Sequence, residues 1–145
     1  MAFNIRVYGI LINSKNEVLL SDERRFGKEF TKFPGGGLEL GEGLKDCLKR
    51  EFQEELHLEI EVQELIYLTD FYQKSAFHKD DQIISVYYSV SAHDLGIIPV
   101  KEIPFDFEVN AIEAHRWKRV EDLKDEDLTF PIDKLVAGII KMNEK

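Results

Sequence analysis

Hydrophobic positions along this chain change period several times, and each change predicts an element. Phe3, Ile5, Val7 and Leu11 alternate with other residues over Phe3–Ile12, the period of a strand. "NSKN" at 13–16 is turn chemistry, and "EVLLS" follows as a second strand, so a hairpin is predicted. Residues 22–32, "DERRFGKEFTK", are polar and basic and read as a loop. Pro34 and Gly35–Gly37 then break any regular element. Leu44–Leu56 carries the helical period, with Leu44, Leu48, Phe52 and Leu56 on one arc and Cys47 at its border. Glu59–Leu68 reads as a strand. Ile84, Val86, Tyr88 and Val90 alternate with Ser85, Tyr87 and Ser89, a clear strand signal. Glu113–Val120 forms another around Trp117. Pro131 suits the first turn of a last helix, where its missing N–H costs nothing. Leu135, Val136, Ile139 and Ile140 give that helix its apolar stripe. The elements add up to a mixed α/β domain spanning 1–145.

The helix at 44–56 breaks its own pattern. Glu51, Glu54 and Glu55 are three and four residues apart and therefore neighbours on its surface. On the helical wheel Glu51 and Glu55 fall inside the apolar arc and Glu54 at its edge, where carboxylates do not belong. Two like charges 4 Å apart repel by about 1 kcal/mol in water and roughly 4 kcal/mol at an effective dielectric of 20. Partial burial adds a desolvation cost. A divalent cation offsets both, and Mg²⁺ is a hard ion commonly held by a few carboxylates with water and substrate phosphates. Arg50 can pair with Glu54 one turn on, or with a carboxylate outside the helix such as Glu42. The glycines just before the helix allow a close backbone approach, and one of their carbonyls can face the same metal.

Composition narrows the classes. The 145 residues suffice for one core, and 43% hydrophobic with 11% aromatic residues fits a globular protein. A net charge of -9 argues against broad nucleic-acid or anionic-membrane binding. The single cysteine, Cys47, forms no intramolecular disulfide and leaves no cysteine-rich zinc site; it reads as a small buried apolar residue. Polar residues interrupt the N-terminal stretch early, so neither a signal peptide nor a membrane span is expected, and a cytoplasmic location is the default. Arg24, Arg25, Lys28 and Lys32 cluster ahead of the glycines in an otherwise acidic chain and are candidates to meet substrate phosphates. Phe71, Tyr72 and Phe77 are candidates to stack on a base, with core packing as the commoner role. His78, His93 and His115 are too scattered for a histidine metal site.

The stretch "GGGLELGEGLKDCLKREFQEELHL" also resembles a known family signature. Gly36, five residues, Glu42, seven residues, then Arg50-Glu51-Phe52-Gln53-Glu54-Glu55-Leu56-His57-Leu58 resembles the Nudix box, G-x5-E-x7-R-E-U-x-E-E-x-G-U. Every charged position matches in register. His57 stands where the family has glycine, at a site after the helix that often needs positive φ; histidine tolerates this better than most residues. Thr31 occupies the place where relatives often carry tryptophan.

The resemblance implies an α/β/α sandwich with a mixed β-sheet. It implies hydrolysis, with Mg²⁺ or Mn²⁺, of nucleoside diphosphates linked to another moiety. Carried over by position, it makes Glu51, Glu54 and Glu55 metal ligands together with the Gly35 carbonyl. Arg50 then orients a glutamate, Glu42 pairs with Arg50 or joins an outer metal, and Gly36 lies at the substrate. Glu51 or Glu54 is a possible general base within the box. Outside it the candidates are Glu108 and Glu113, with Glu113 favoured by its place just before the Trp117 strand. The implied partner is a nucleotide-derived small molecule, with no membrane and no stable nucleic acid; homodimers are common in the family. The alternative is a non-catalytic module that senses a nucleotide, although family regulators usually carry an added DNA-binding domain for which no room is expected here. An isoprenoid isomerase would need a cysteine in the pocket, and an RNA decapping enzyme a basic path.

Overall fold

The computed structural model describes residues 1–143. They form seven strands and two α-helices, with short 3₁₀ turns, grouped into two compact units: Met1–Ile10 with Gly35–His93, and Leu11–Pro34 with the described residues from Asp94 on. Among the described residues no helix is long and apolar enough to cross a membrane.

The first unit is built on a four-stranded sheet in the order β4-β1-β6-β5, with β1 Phe3–Leu11, β4 Gly35–Gly37, β5 Glu61–Leu68 and β6 Gln82–Ser91. β1 is longer on its buried side than alternation requires. Val7, Tyr8, Ile10 and Leu11 are all buried, so both faces of its second half are covered, whereas Phe3 is exposed. The glycines are not a break in regular structure. They form β4, which pairs antiparallel with β1 through Arg6↔Gly37, Val7↔Gly36 and Tyr8↔Gly35. β5 and β6 pair antiparallel with irregular register near Leu65, which explains the weak alternation of β5. α1 spans Leu44–Leu56, the predicted range, and buries Cys47, Leu48, Phe52 and Leu56.

The second unit carries a three-stranded sheet, β3-β2-β7, with β2 Glu17–Arg25, β3 Lys28–Lys32 and β7 Glu113–Arg119. Two sequence expectations change here. The hairpin of Phe3–Ile12 with "EVLLS" is reduced to one bridge, Ile12↔Val18, because β2 pairs along its length with β3 and β7 instead. The polar stretch 22–32 is not a loop but the end of β2, a two-residue turn and β3. Phe26 and Gly27 both have positive φ, 54° and 73°, the twist that a tight hairpin requires. Three of the charges that suggested a loop, Asp22, Glu23 and Lys32, are buried and paired. Arg116 Nε and Nη2 grip Asp22 at 2.8 and 3.2 Å, while the Thr31 hydroxyl donates to Asp22 at 2.6 Å and the Phe105 N–H at 3.2 Å. α2, Pro131–Asn143, begins at the expected proline. Its buried face is Ile132, Asp133, Val136, Ala137 and Ile140; Leu135, expected in the stripe, is exposed.

Candidate active site

α1 opens with Gly43 at its N-cap, where the Asp46 carboxylate accepts the Gly43 N–H. It closes at His57, which adopts the left-handed conformation, φ 51° and ψ 37°, and donates its N–H to the Gln53 carbonyl. The backbone at the departing position is thus the one a glycine normally supplies. Between these caps the glutamates are presented in rising order of exposure: Glu51 and Glu55 are half-buried and Glu54 is exposed.

Arg50 is the hub. Its Nε and Nη2 take Glu42 as a bidentate pair at 3.0 and 2.8 Å, Nη1 meets Glu51 at 2.9 Å and Glu54 at 3.3 Å, and Nη2 also donates to the Gly37 carbonyl at 3.1 Å. Glu39 lies 3.7 Å from Nη1. Both pairings foreseen for Arg50, to Glu54 and to Glu42, are therefore made at once. The hydrogen bonds from Arg50, with one from the Glu39 N–H, hold the Glu42 carboxyl down at about 2, so it stays ionised at any physiological pH. Glu42 in return pushes the Arg50 pKa further up. Cys47, desolvated and near Glu42, is pushed up to about 12, an inert thiol in keeping with a packing role.

Gly36 makes this arrangement sterically possible. A Cβ there would lie 2.6 Å from the Glu51 carboxylate, so β4 and α1 approach as closely as they do only because position 36 has no side chain. Gly35 is equally constrained: with φ +147°, its Cβ would fall 2.1 Å from the Val7 carbonyl. The strand that carries the box glycines is thereby seated on β1 with its backbone turned toward the glutamate helix.

The second unit holds the remaining candidates. Arg24 donates from Nε to the Ala111 carbonyl at 2.7 Å and lies over the Phe107 ring at 4.5 Å. Arg25 meets Glu23 at 3.0 Å and Glu113 at 3.6 Å. Lys28 is exposed at the start of β3. Lys32 is buried, its ammonium 2.9 Å from Glu23. Arg24, Arg25, Lys28 and Lys32 thus do not form one basic surface. Glu113 starts β7 directly across from Glu23, and Glu108 is exposed and paired with Lys101.

Sequence reasoning overlooked Glu23. It is 2% exposed and receives Lys32, Arg25 and the Ser21 hydroxyl. Burial alone would raise its pKa, but Lys32 and Arg25 outweigh that and keep it lowered. No local signal marks such a residue, because its partners are set by strand register. His115, across from Ser21, is lowered to about 4 by burial and by Lys32, and is neutral at pH 7. Phe71, Tyr72 and Phe77 are exposed in the segment after β5.

The NUDIX domain family model matches residues 2–138. This chain belongs to the Nudix family. Solved structures agree on the fold. The Escherichia coli ORF135 protein is 18% identical over 99% of this chain and 92% of its own, with a TM-score of 0.70. The MutT protein of Methanosarcina mazei is 17% identical over 99% and 96%, with a TM-score of 0.69. An ADP-ribose pyrophosphatase of Streptococcus suis is 18% identical over 98% and 92%, with a TM-score of 0.63. The α/β class, with a mixed sheet and helices, is accordingly that of a Nudix domain. As a Nudix protein the chain is a pyrophosphohydrolase, an enzyme acting on a nucleotide-derived small molecule.

Proposed function

We propose that residues 1–145 form one Nudix domain that hydrolyses the diphosphate linkage of a nucleoside diphosphate joined to a second group, using Mg²⁺, with Mn²⁺ as a substitute. The observation that carries this reading is the charge imbalance around Arg50. One guanidinium faces four carboxylates, Glu39, Glu42, Glu51 and Glu54, and the Gly37 carbonyl. The acceptors outnumber the cations, and all are hard oxygen donors of the type Mg²⁺ takes. The cradle that only glycine permits at position 36 presses one of those carboxylates against β4.

In this reading Glu51, Glu54 and Glu55, with the Gly35 carbonyl, would hold the ion. A divalent cation so held neutralises diphosphate charge as a Lewis acid and activates water. Arg50 orients Glu51 and Glu54, and its bidentate grip on Glu42 fixes the guanidinium itself. Glu113 takes the proton of the attacking water, with Glu51 or Glu54 the alternative within the helix. Of the basic residues expected on the substrate side, Arg24 is assigned there, while Arg25 and Lys32 are both engaged with Glu23. Arg25 has a side chain 40% exposed, whereas Lys32 is buried. Gly36 is buried in β4 against Glu51, and its assignment to the substrate side rests on its place in the Nudix box. The ADP-ribose pyrophosphatase among the structural neighbours makes nucleoside diphosphate sugars the first substrates to try. A cytoplasmic location is part of the same proposal.

The test is a panel of ADP-ribose, nucleotide sugars, dinucleoside polyphosphates and modified nucleoside triphosphates with Mg²⁺ and with Mn²⁺, scored for released nucleotide or phosphate. Turnover of at least one class that stops on chelation is expected. Tight binding of ADP-ribose with no turnover of any member at any metal concentration would overturn it in favour of the sensing module.

A further inference from the structure

The sheet β3-β2-β7 places a row of charged side chains on one face. Cross-strand pairs point the same way, so Ser21 with Lys32 and Glu23 with Glu113 share that face. Contacts along the row run in one direction. The Lys32 ammonium reaches Glu23 Oε2 at 2.9 Å, and the Ser21 hydroxyl donates to the same oxygen at 3.0 Å. Arg25 Nε donates to the other oxygen, Glu23 Oε1, at 3.0 Å, and its Nη2 lies 3.6 Å from Glu113 Oε2. The row is buried at its Lys32–Glu23 end and more open at its Arg25–Glu113 end. The side chains of Glu23 and Lys32 are 3% and 5% exposed, that of Glu113 is 22% and that of Arg25 is 40%.

We propose that Glu23 is a positioning residue for the hydrolysis: it fixes the Arg25 guanidinium, and through Arg25 it fixes the Glu113 carboxylate. This rests on the reading of Glu113 as the general base. The physical case is one of rigidity. A half-exposed arginine ordinarily samples many rotamers, and an exposed pair with a glutamate is worth little. Here one nitrogen of the fork is tied to a carboxylate that is itself held by two buried donors. The far nitrogen is therefore presented to Glu113 at little further entropic cost. A base acts efficiently only when held within reach of the proton it takes, and a displacement of about 1 Å can cost on the order of 100-fold. The geometry also gives Arg25 a different job from the phosphate contact expected of it.

A double-mutant cycle in turnover between Arg25 and Glu113 separates these roles. Glu113→Gln should lower kcat by about 100-fold. Arg25→Ala should lower kcat by about 10-fold with KM unchanged, and should have no further effect in the Glu113→Gln background. Glu23→Gln should reproduce the Arg25→Ala defect. Arg25→Lys should fail to restore kcat, because one ammonium cannot span both carboxylates. If Glu23→Gln does not fold, the Arg25 variants carry the test, since that side chain is largely at the surface. Additive defects of Arg25→Ala and Glu113→Gln would overturn the proposal while leaving Glu113 as base. So would an Arg25→Ala variant that raises KM alone, which would mark Arg25 as a substrate contact. Wild-type kcat in Glu113→Gln would remove the base assignment itself, and the positioning role with it.

Discussion

Two charged networks in this molecule are built on opposite terms. Around Arg50 one cation meets an excess of carboxylates at a partly open surface, with side chains 14% to 60% exposed for Glu51 and Glu54. On the sheet β3-β2-β7 the charges are matched and buried. Asp22 is gripped by Arg116 with side chains 1% and 7% exposed, and Glu23 is met by Lys32 and Arg25. A buried charge must be compensated within the protein, because water is not there to do it. An open site tolerates an imbalance, and that imbalance is a capacity for a further cation. The first network is therefore suited to exchange partners during a reaction, and the second to keep side chains fixed while it happens.

The sharpest way to break this contrast is to neutralise the open network. Glu54→Gln and Glu55→Gln should each lower metal-stimulated turnover by on the order of 1000-fold while leaving the thermal melt unchanged, measured by product release and calorimetry. Next in size is the buried network. Asp22→Ala strands Arg116 in the interior and should cost about 3–5 kcal/mol of stability, read from denaturant unfolding. A loss under 1 kcal/mol would show that the pair is not the matched, buried contact described here. Gly36→Ala forces a methyl within 2.6 Å of the Glu51 carboxylate. It should cost roughly 1–3 kcal/mol in overpacking and lower activity more than a remote surface alanine does.

Acid sharpens the comparison further. The Glu42 carboxyl is held at about 2, below its ordinary 4.5, by Arg50. Its contribution to stability is thus fully present above pH 4.5 and is lost as pH falls toward 2. Glu42→Gln should be less stable than wild type at pH 6, with the gap closing by pH 2. A gap that stays constant over that range would exclude the Arg50 contact as its cause. The smallest effect concerns the helix end. His57→Gly should raise stability by about 1 kcal/mol, since His57 sits at φ 51°, with turnover unchanged.

The same contrast explains what the chain made legible. The open network is local: Gly36, Glu42 and Arg50–Leu58 lie within β4, the turn after it and α1 with its C-terminal cap, so spacing and the helical wheel place them together. α1 has its predicted limits, and His57 has the positive φ expected of a glycine substitute. The buried network is non-local. Asp22 meets Arg116 and Glu23 meets Lys32 through strand register, and a run of charges without its partners looks like solvated loop. The turn at Phe26–Gly27 lacks the Asn-Gly signal of a tight hairpin, so the strands on either side were hidden too. The glycines of β4 read as a break because a strand without side chains shows no alternation.

The central claim is that the α1 glutamates form a divalent cation site, and its most direct test is a Mn²⁺ titration followed by electron paramagnetic resonance. Wild-type protein should bind Mn²⁺ with a saturable stoichiometry, competed by Mg²⁺, and the Glu54→Gln/Glu55→Gln double variant should lose that binding while remaining folded. Equal Mn²⁺ affinity in the wild type and the double variant would contradict the account.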